Sequence, residues 1–119
     1  MKMHLLMKNK AEGAGFDYFG ESVIGWRDQH HIYMMIFDRE NEEERILANR
    51  TFGELVTECA ALGYGEYRTH LDFMDQVAGT YNWNDGALFK LHERIRDALD
   101  PHGIMAPGKM GVWPEKMRT

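Results

Sequence analysis

The spacing of apolar residues along the chain predicts four helices and two strands. Apolar positions three and four residues apart indicate a helix over residues 1–14, and mixed or continuous apolar runs indicate strands at 18–26 and 31–37. The second strand is almost continuously apolar, which favours burial on both faces. A helix that begins at the first residue without a preceding cap is typical of a segment cut from a longer helix.

A stronger helix signal begins at Asn41. Its side chain can accept an orphan backbone N–H, and Glu44 can complete a capping box. Apolar residues then recur at helical spacing as far as Gly63, namely Phe52, Leu55, Val56, Cys59 and Leu62. On this stripe we expect Cys59 to be a small, buried hydrophobic residue.

The second half of the chain predicts two further helices and an irregular tail. A short helix is expected at residues 71–77, after a strand-like YRTH segment at 67–70. Asn82, Asn84 and Asp85 indicate the start of a longer helix, which must end before Pro101 and whose apolar stripe is Leu88, Leu91, Ile95 and Leu99. All three prolines follow, so the tail is expected to be a rigid wrap over another part of the protein.

Composition places the chain among ordinary globular domains. It has 119 residues, 44% of them hydrophobic, and a net charge of -5, which argues against a disordered tail and against nucleic-acid binding. Its longest apolar run, residues 32–37, is far shorter than a membrane span, and Lys8 interrupts the N-terminal apolar stretch, unlike a signal peptide. A single cysteine indicates a reducing compartment, so we expect a soluble protein, cytoplasmic rather than periplasmic.

The histidines do not predict a metal site. His30 and His31 are adjacent and point to opposite faces of a strand, and paired Cys/His spacing is absent from the sequence. The candidate chemistry lies instead in the GYGEYRTH segment, residues 63–70. There a phenol, Tyr67, adjoins a guanidinium, Arg68, and the two could hold a phenolate or a carboxylate. The alternative is a surface ion pair of the arginine with Glu66 or Asp72.

Two motifs resemble one flavoprotein family. The tail DPHGIMAPGKMGVWP and the upstream stretch GYGEYRTHLDFMDQVAGTYNWND are similar, in the same order, to the C-terminal signature of the vanillyl-alcohol oxidase and p-cresol methylhydroxylase family. The resemblance implies an α+β fold. Residues 1–70 would be the second half of a ferredoxin-like cap domain, with two antiparallel strands plus helices. Residues 71–119 would be a helical, proline-rich C-terminal segment that returns to the FAD-binding domain.

The resemblance also implies site residues. Tyr67 and Arg68 would bind a para-alkylphenol as its phenolate, and Arg68 with Lys109 would face the flavin of FAD. The substrate would lose hydride to the flavin and become a quinone methide. Glu21 and His30 would then deprotonate the water that attacks it. The alternative for this last pair is an exposed glutamate and a histidine at the rim of the core.

The departures from the family pattern limit the expected activity. A glycine-rich phosphate loop, the FAD-binding domain and the covalent flavin attachment residue are missing from these 119 residues, so we expect the chain alone to be inactive. The implied partners are the missing FAD-binding domain, a cytochrome c subunit and further copies in a homo-oligomer. Two alternatives remain open: a separately encoded subunit of a split flavoenzyme, and a non-catalytic α+β module that binds a small molecule or dimerises. A self-sufficient module would bury the tail residues Ile104, Met105, Val112 and Trp113, and a part of a larger protein would expose them.

Overall fold

The structure, a computed structural model, describes residues 2–118 and has the predicted α+β class. The helices and strands are α1 (Lys2–Gly13), β1 (Asp17–Ile24), β2 (Gln29–Ile36), α2 (Glu42–Ala61), α3 (Met74–Thr80) and α4 (Trp83–Leu99). Short 3-10 turns lie at Leu71–Phe73, Lys109–Gly111 and Glu115–Met117. Contacts divide the chain into two compact units, Met1–Cys59 and Ala60–Thr119.

An antiparallel hairpin and two helices make up the first unit. β1 pairs with β2 from Asp17 opposite Ile36 to Ile24 opposite Gln29. Helix α1 packs on one face of the hairpin, where His4 lies against the rings of Tyr18 and His31. The other face is open in the described part of the unit, and its large apolar side chains are 41–63% exposed: Phe19, Val23, Ile32, Met34 and Ile36. The expectation that the second strand is buried on both faces is therefore wrong, because a helix covers only one of them.

Helix α2 begins where the sequence predicts. The Asn41 carboxamide oxygen accepts the N–H groups of Glu43 and Glu44, at 3.1 and 3.3 Å. The Glu44 carboxylate accepts from the Asn41 side-chain amide at 3.0 Å and from the Asp38 N–H at 2.9 Å. Leu55 and Val56 are buried, but Cys59 is only half-buried, because it lies in the last turn of the helix, where the neighbouring Ala60 is half-buried and Ala61 is exposed.

Helix α3 and the tail form the centre of the second unit. Met74 and Val77 of α3 are buried, and the tail turn at Gly111 approaches the helix so closely that a Cβ on this glycine would lie 2.5 Å from the Cβ of Ala78. The tail thus packs over α3, as expected for a segment that wraps over another part of the protein. Its exposure is mixed, since Ile104 and Met105 are 80% and 57% exposed whereas Val112 and Trp113 are half-buried.

Helix α4 departs from expectation at its start and along its apolar stripe. The Asn82 side chain makes no capping hydrogen bond, because Asn84, Asp85 and Gly86 adopt left-handed backbone angles, with φ of 51°, 54° and 67°. The apolar stripe is 47–72% exposed at Leu88, Leu91, Ile95 and Leu99. None of the helices in the described chain is long and apolar enough to cross a membrane.

Candidate functional site

The segment around Tyr67 is an irregular loop and does not have the strand-like character expected for YRTH. Tertiary contacts impose the irregular course. The Tyr81 hydroxyl donates to the Glu66 carbonyl at 2.6 Å and occupies the space beside Gly65, where a Cβ would lie 2.5 Å from it. At the end of the loop, His70 Nδ1 accepts the Asp72 N–H at 3.3 Å and begins the 3-10 turn that leads into α3.

Tyr67 and Arg68 are in contact at the surface of this loop. The Arg68 guanidinium lies 5.9 Å from the centre of the Tyr67 ring, and both side chains are exposed, Tyr67 by 58%. Within residues 2–118 the guanidinium forms no ion pair. Glu66 is half-buried, and the Asp72 carboxylate lies 3.6 Å from His70 Nδ1. The structure therefore leaves Arg68 available to an external anion and does not contain the surface ion pair of the alternative reading.

Burial shapes the electrostatics of the loop. It raises the pKa of the Glu66 carboxyl. It also raises the pKa of the Tyr81 phenol, to which the nearby Glu66 carboxylate contributes as well. Tyr81 consequently stays protonated at neutral pH and remains a hydrogen-bond donor to the loop. The sequence did not predict this supporting role of Tyr81, because a contact between residues 15 positions apart leaves no local pattern.

Lys109 is exposed on a separate turn of the same unit, held by the tail. Gly108 precedes it with φ of 78°, and a Cβ on this glycine would lie 2.5 Å from the Trp113 ring. The Met110 N–H donates to the Met74 sulphur at 3.3 Å and fixes the turn against α3. Among residues 2–118 the Lys109 ammonium, like Arg68, has no carboxylate in salt-bridge distance.

Glu21 and His30 lie in the first unit, on the open face of the hairpin. Glu21 is opposite Ile32 and His30 is opposite Val23, which makes the two residues diagonal neighbours on one face, typically about 7 Å apart. Glu21 is exposed and His30 half-buried. The His30 ring Nε2 lies 2.8 Å from the Asp28 carboxylate, a partner that sequence analysis missed. The sequence signal that could have identified Asp28 is its position two residues before His30, where a strand begins.

Within the described chain, the predicted site residues form no metal cluster, and those of the second unit do not line the groove found there. The described residues contain no group of three or more His, Cys, Asp or Glu side chains able to hold a metal ion. A groove of about 720 Å³ lies between α3, α4 and the tail in the second unit, and its lining includes Tyr81, Phe89 and Trp113. Tyr67, Arg68 and Lys109 are not among its lining residues in the described chain.

Comparisons with known proteins agree with the motifs. The family described as FAD linked oxidases, C-terminal domain, matches residues 3–110. The chain is 36% identical over 111 residues to the 4-cresol dehydrogenase [hydroxylating] flavoprotein subunit of Pseudomonas putida, covering 93% of this chain and 21% of that protein.

Solved structures show the same relationship. The 4-ethylphenol oxidase from Gulosibacter chungangensis, in an isoeugenol complex, matches 98% of this chain and 22% of its own at 41% identity, with a TM-score of 0.95. A p-cresol methylhydroxylase with substrate bound matches 94% of this chain and 21% of its own at 36% identity, with a TM-score of 0.87. The chain thus spans about a fifth of the length of these relatives. It belongs to the family of FAD linked oxidases, C-terminal domain.

Proposed function

We propose that this chain forms the substrate-binding C-terminal part of an FAD-dependent oxidoreductase that oxidises or hydroxylates para-alkylphenols. The names of two relatives, 4-cresol dehydrogenase and 4-ethylphenol oxidase, state that they act on such phenols. The observation that carries the proposal is the exposed Tyr67–Arg68 contact, in which the guanidinium has no carboxylate partner within residues 2–118.

Tyr67 and Arg68 would bind the substrate oxygen. A phenol ionises with a pKa of about 10, and a neighbouring cation together with a donated hydrogen bond stabilises the phenolate. Arg68 supplies the charge and Tyr67 supplies the hydroxyl donor. The negative charge of the phenolate then favours departure of hydride from the para-alkyl carbon.

The donor set also fits FAD. Arg68 and Lys109 are exposed cations on the second unit, and such groups stabilise negative charge at the pyrimidine end of a flavin. FAD, when bound, accepts the hydride that the substrate loses. Under this proposal its binding domain and any covalent attachment residue belong to polypeptide outside residues 1–119. A cytochrome c subunit and further copies of the parent protein in a homo-oligomer are the other proposed partners.

Glu21, His30 and Asp28 would serve the hydroxylating step. Hydride loss converts the phenolate to a quinone methide, whose methide carbon adds water. Glu21 and His30 share the open hairpin face, so either could take the proton from that water. The Asp28 carboxylate, 2.8 Å from His30 Nε2, orients the imidazole.

A chimeric enzyme tests the proposal. Residues 3–110 of this chain replace the matched C-terminal region of the Pseudomonas putida flavoprotein subunit, and the visible absorption of the flavin is followed without oxygen after 4-cresol is added. We expect bleaching of the flavin, which Arg68→Met slows strongly and Arg94→Met, a control at an exposed arginine of α4, leaves unchanged. A folded, flavin-containing chimera that 4-cresol does not reduce contradicts the proposal.

The isolated chain provides a second test. Because FAD would be held mainly by the missing domain, we expect the 119-residue chain to bind no FAD and to leave its absorption unchanged on addition of 4-alkylphenol. Bound flavin that a phenol bleaches would instead show a working site within this chain. That result would overturn the proposal that the rest of the site lies on polypeptide outside residues 1–119.

A further inference from the structure

The peptide group that leads into Tyr67 is bound by a side chain from the far end of α3. The Tyr81 hydroxyl donates to the Glu66 carbonyl at 2.6 Å, and this carbonyl belongs to the same planar peptide unit as the N–H of Tyr67. A hydrogen bond to the oxygen of a planar unit restricts its orientation, and with it the direction in which the next residue continues. Tyr81 therefore acts on the backbone directly beside Tyr67 and Arg68.

Helix α3 fixes both ends of this loop. At the end nearer to α3, His70 Nδ1 accepts the Asp72 N–H at 3.3 Å and begins the turn that enters the helix. At the other end of the helix, Tyr81 follows its last residue, and the Tyr81 N–H donates to the Ala78 carbonyl at 3.1 Å. The hydroxyl of a residue anchored in this way then returns to Glu66, 15 positions earlier, and closes the loop against the helix.

Gly65 leaves room for the phenol of Tyr81. A Cβ at position 65 would lie 2.5 Å from the Tyr81 hydroxyl oxygen and 3.0 Å and 3.1 Å from the ring carbons Cζ and Cε1. Gly65 does not adopt a left-handed φ, so its backbone would accept an alanine. An added methyl group at this position would consequently act by displacing the phenol from the Glu66 carbonyl.

The position of Arg68 follows from that of Tyr67. The Arg68 guanidinium lies 5.9 Å from the centre of the Tyr67 ring and forms no ion pair within residues 2–118. The two residues are also adjacent in the chain. A rotation of the peptide unit before Tyr67 would therefore move the phenol donor and the cation together.

We propose that Tyr81 is a positioning residue for the phenolate site: by holding the peptide unit before Tyr67, its hydroxyl keeps Tyr67 and Arg68 directed at one substrate oxygen. This inference rests on the proposed binding of a para-alkylphenol by the same loop. Tyr81 acts through the backbone and needs no contact with the substrate. Because donors that are already in place stabilise a charge best, a displaced pair would stabilise the phenolate less, and the bound phenol would ionise at a higher pH.

The chimeric enzyme described above tests this role at saturating 4-cresol. In Tyr81→Phe we expect the limiting rate of flavin reduction at pH 7 to fall about two- to tenfold, and the pH of half-maximal rate to rise by up to about one unit. At high pH, where the substrate ionises without help, the rate should approach that of the unsubstituted chimera. Tyr64→Phe, in the same loop, is the matched control and should retain both values.

Gly65→Ala approaches the same hydrogen bond from the other side and keeps the proposal testable if Tyr81→Phe does not fold. It should lower the rate and raise the pH of half-maximal rate, as Tyr81→Phe does. Gly79→Ala is the control, since nothing lies within 4 Å of its added Cβ. Because both substitutions break one hydrogen bond, the variant that combines Gly65→Ala with Tyr81→Phe should be no slower than the slower single variant.

Backbone NMR relaxation of the full 119-residue chain tests the restraint without catalysis. The Tyr67 N–H belongs to the held peptide unit, so its order parameter should be near the rigid-backbone value of about 0.85. It should fall in Tyr81→Phe and stay constant in Tyr64→Phe. An order parameter below about 0.6 in the unsubstituted chain overturns the proposal.

Two kinetic results would overturn the proposal as well. One is a Tyr81→Phe chimera with an unchanged rate and an unchanged pH profile, and the other is a rate that falls equally at every pH. A folded, flavin-containing chimera that 4-cresol does not reduce before any substitution contradicts the proposed function instead. The relaxation measurement separates that failure from a failure of Tyr81 to hold the loop.

Discussion

Trp113 donates its indole N–H to the Asp75 carboxylate, with Nε1 and Oδ1 2.8 Å apart, and thereby joins the tail to α3 across 38 residues of chain. The same Trp113 ring covers Gly108, the residue before Lys109. One aromatic side chain thus anchors the tail and shapes the turn that carries a proposed flavin contact.

Replacement of Trp113 by Phe tests this anchor. The variant keeps an apolar ring but loses the donor to a charged acceptor, so we expect the free energy of unfolding of the second unit to fall by about 1–2 kcal/mol. Urea unfolding followed by circular dichroism measures the change. Trp83→Phe is the matched control, since Trp83 is 81% exposed, and equal effects of the two variants contradict the anchor.

Two glycines of the second unit should respond in opposite directions to alanine. Gly108 has φ of 78°, and an added Cβ would lie 2.5 Å from the Trp113 ring, so Gly108→Ala should destabilise by about 2 kcal/mol or more. Gly79 lies inside α3 with nothing within 4 Å of an added Cβ, so Gly79→Ala should stabilise by about 0.5–1 kcal/mol. Thermal unfolding of both variants measures the contrast, and a stable Gly108→Ala chain would show that the turn can move.

Local signals in the sequence were sufficient for much of the fold. The start of α2 was predicted because Asn41 and Glu44 satisfy backbone groups within a few residues of themselves. The hairpin was predicted because its strands differ from the flanking segments in composition. The Tyr67–Arg68 pair could be proposed because its two members are adjacent in the chain.

Contacts between distant residues account for the expectations that were wrong. The Tyr81 hydroxyl binds the Glu66 carbonyl and holds an irregular loop where the residue types favour a strand. An apolar run such as β2 predicts burial, yet which face is covered depends on where α1 packs. The left-handed turn at Asn84 and Asp85 is a local departure of the backbone, and it replaces the cap that these residue types predict.

Asp100 should make stability sensitive to acid. Its buried carboxylate accepts hydrogen bonds from the backbone N–H groups of Ile104 at 2.8 Å and Met105 at 2.9 Å. It also accepts one from the Arg96 guanidinium at 3.1 Å. The hydrogen bond from Ile104, with those from Met105 and Gly103 and the charge of Arg96, lowers its pKa below the usual 3.8. The stability that the folded state gains from this lowered pKa is present above pH 3.8 and is lost as the pH falls toward the lowered pKa.

The measurement compares Asp100→Asn with the parent chain in urea at several pH values from 6 to 2. The variant should be less stable at pH 6 and lose less stability on acidification. Asp17→Asn, at an exposed position of β1, is the control. Parallel pH profiles for Asp100→Asn and the parent chain would contradict the role of this carboxylate.

Tyr33 should limit stability in alkali. Its hydroxyl oxygen is buried without a hydrogen-bond partner in the described chain, and burial, with Tyr18, raises its pKa to about 12. The folded state therefore favours the neutral phenol, and stability falls as the pH rises from 10 toward 12. Tyr33→Phe should remove this loss. It should also leave stability at pH 7 unchanged or raised by up to about 1 kcal/mol, because an unpaired buried hydroxyl is removed. Urea unfolding measures both effects, and destabilisation by Tyr33→Phe would show that the hydroxyl has a partner.

Tyr67→Phe tests substrate binding in the chimera described above. Loss of a hydroxyl donor to a phenolate should lower kcat/KM for 4-cresol about ten- to hundredfold, since a hydrogen bond to a charged group contributes about 1.5–3 kcal/mol. Tyr64→Phe, three residues earlier in the same loop, is the matched control and should retain the rate. The pH profile of kcat adds a readout that misfolding would not produce, because kcat reports ionisation in the enzyme–substrate complex, where the phenolate is bound. If Tyr67 stabilises the phenolate, the pH at which the rate reaches half its maximum should rise in Tyr67→Phe and stay constant in Tyr64→Phe. An unchanged profile with an unchanged rate would assign the phenolate to other residues and leave Tyr67 as a packing partner of Arg68.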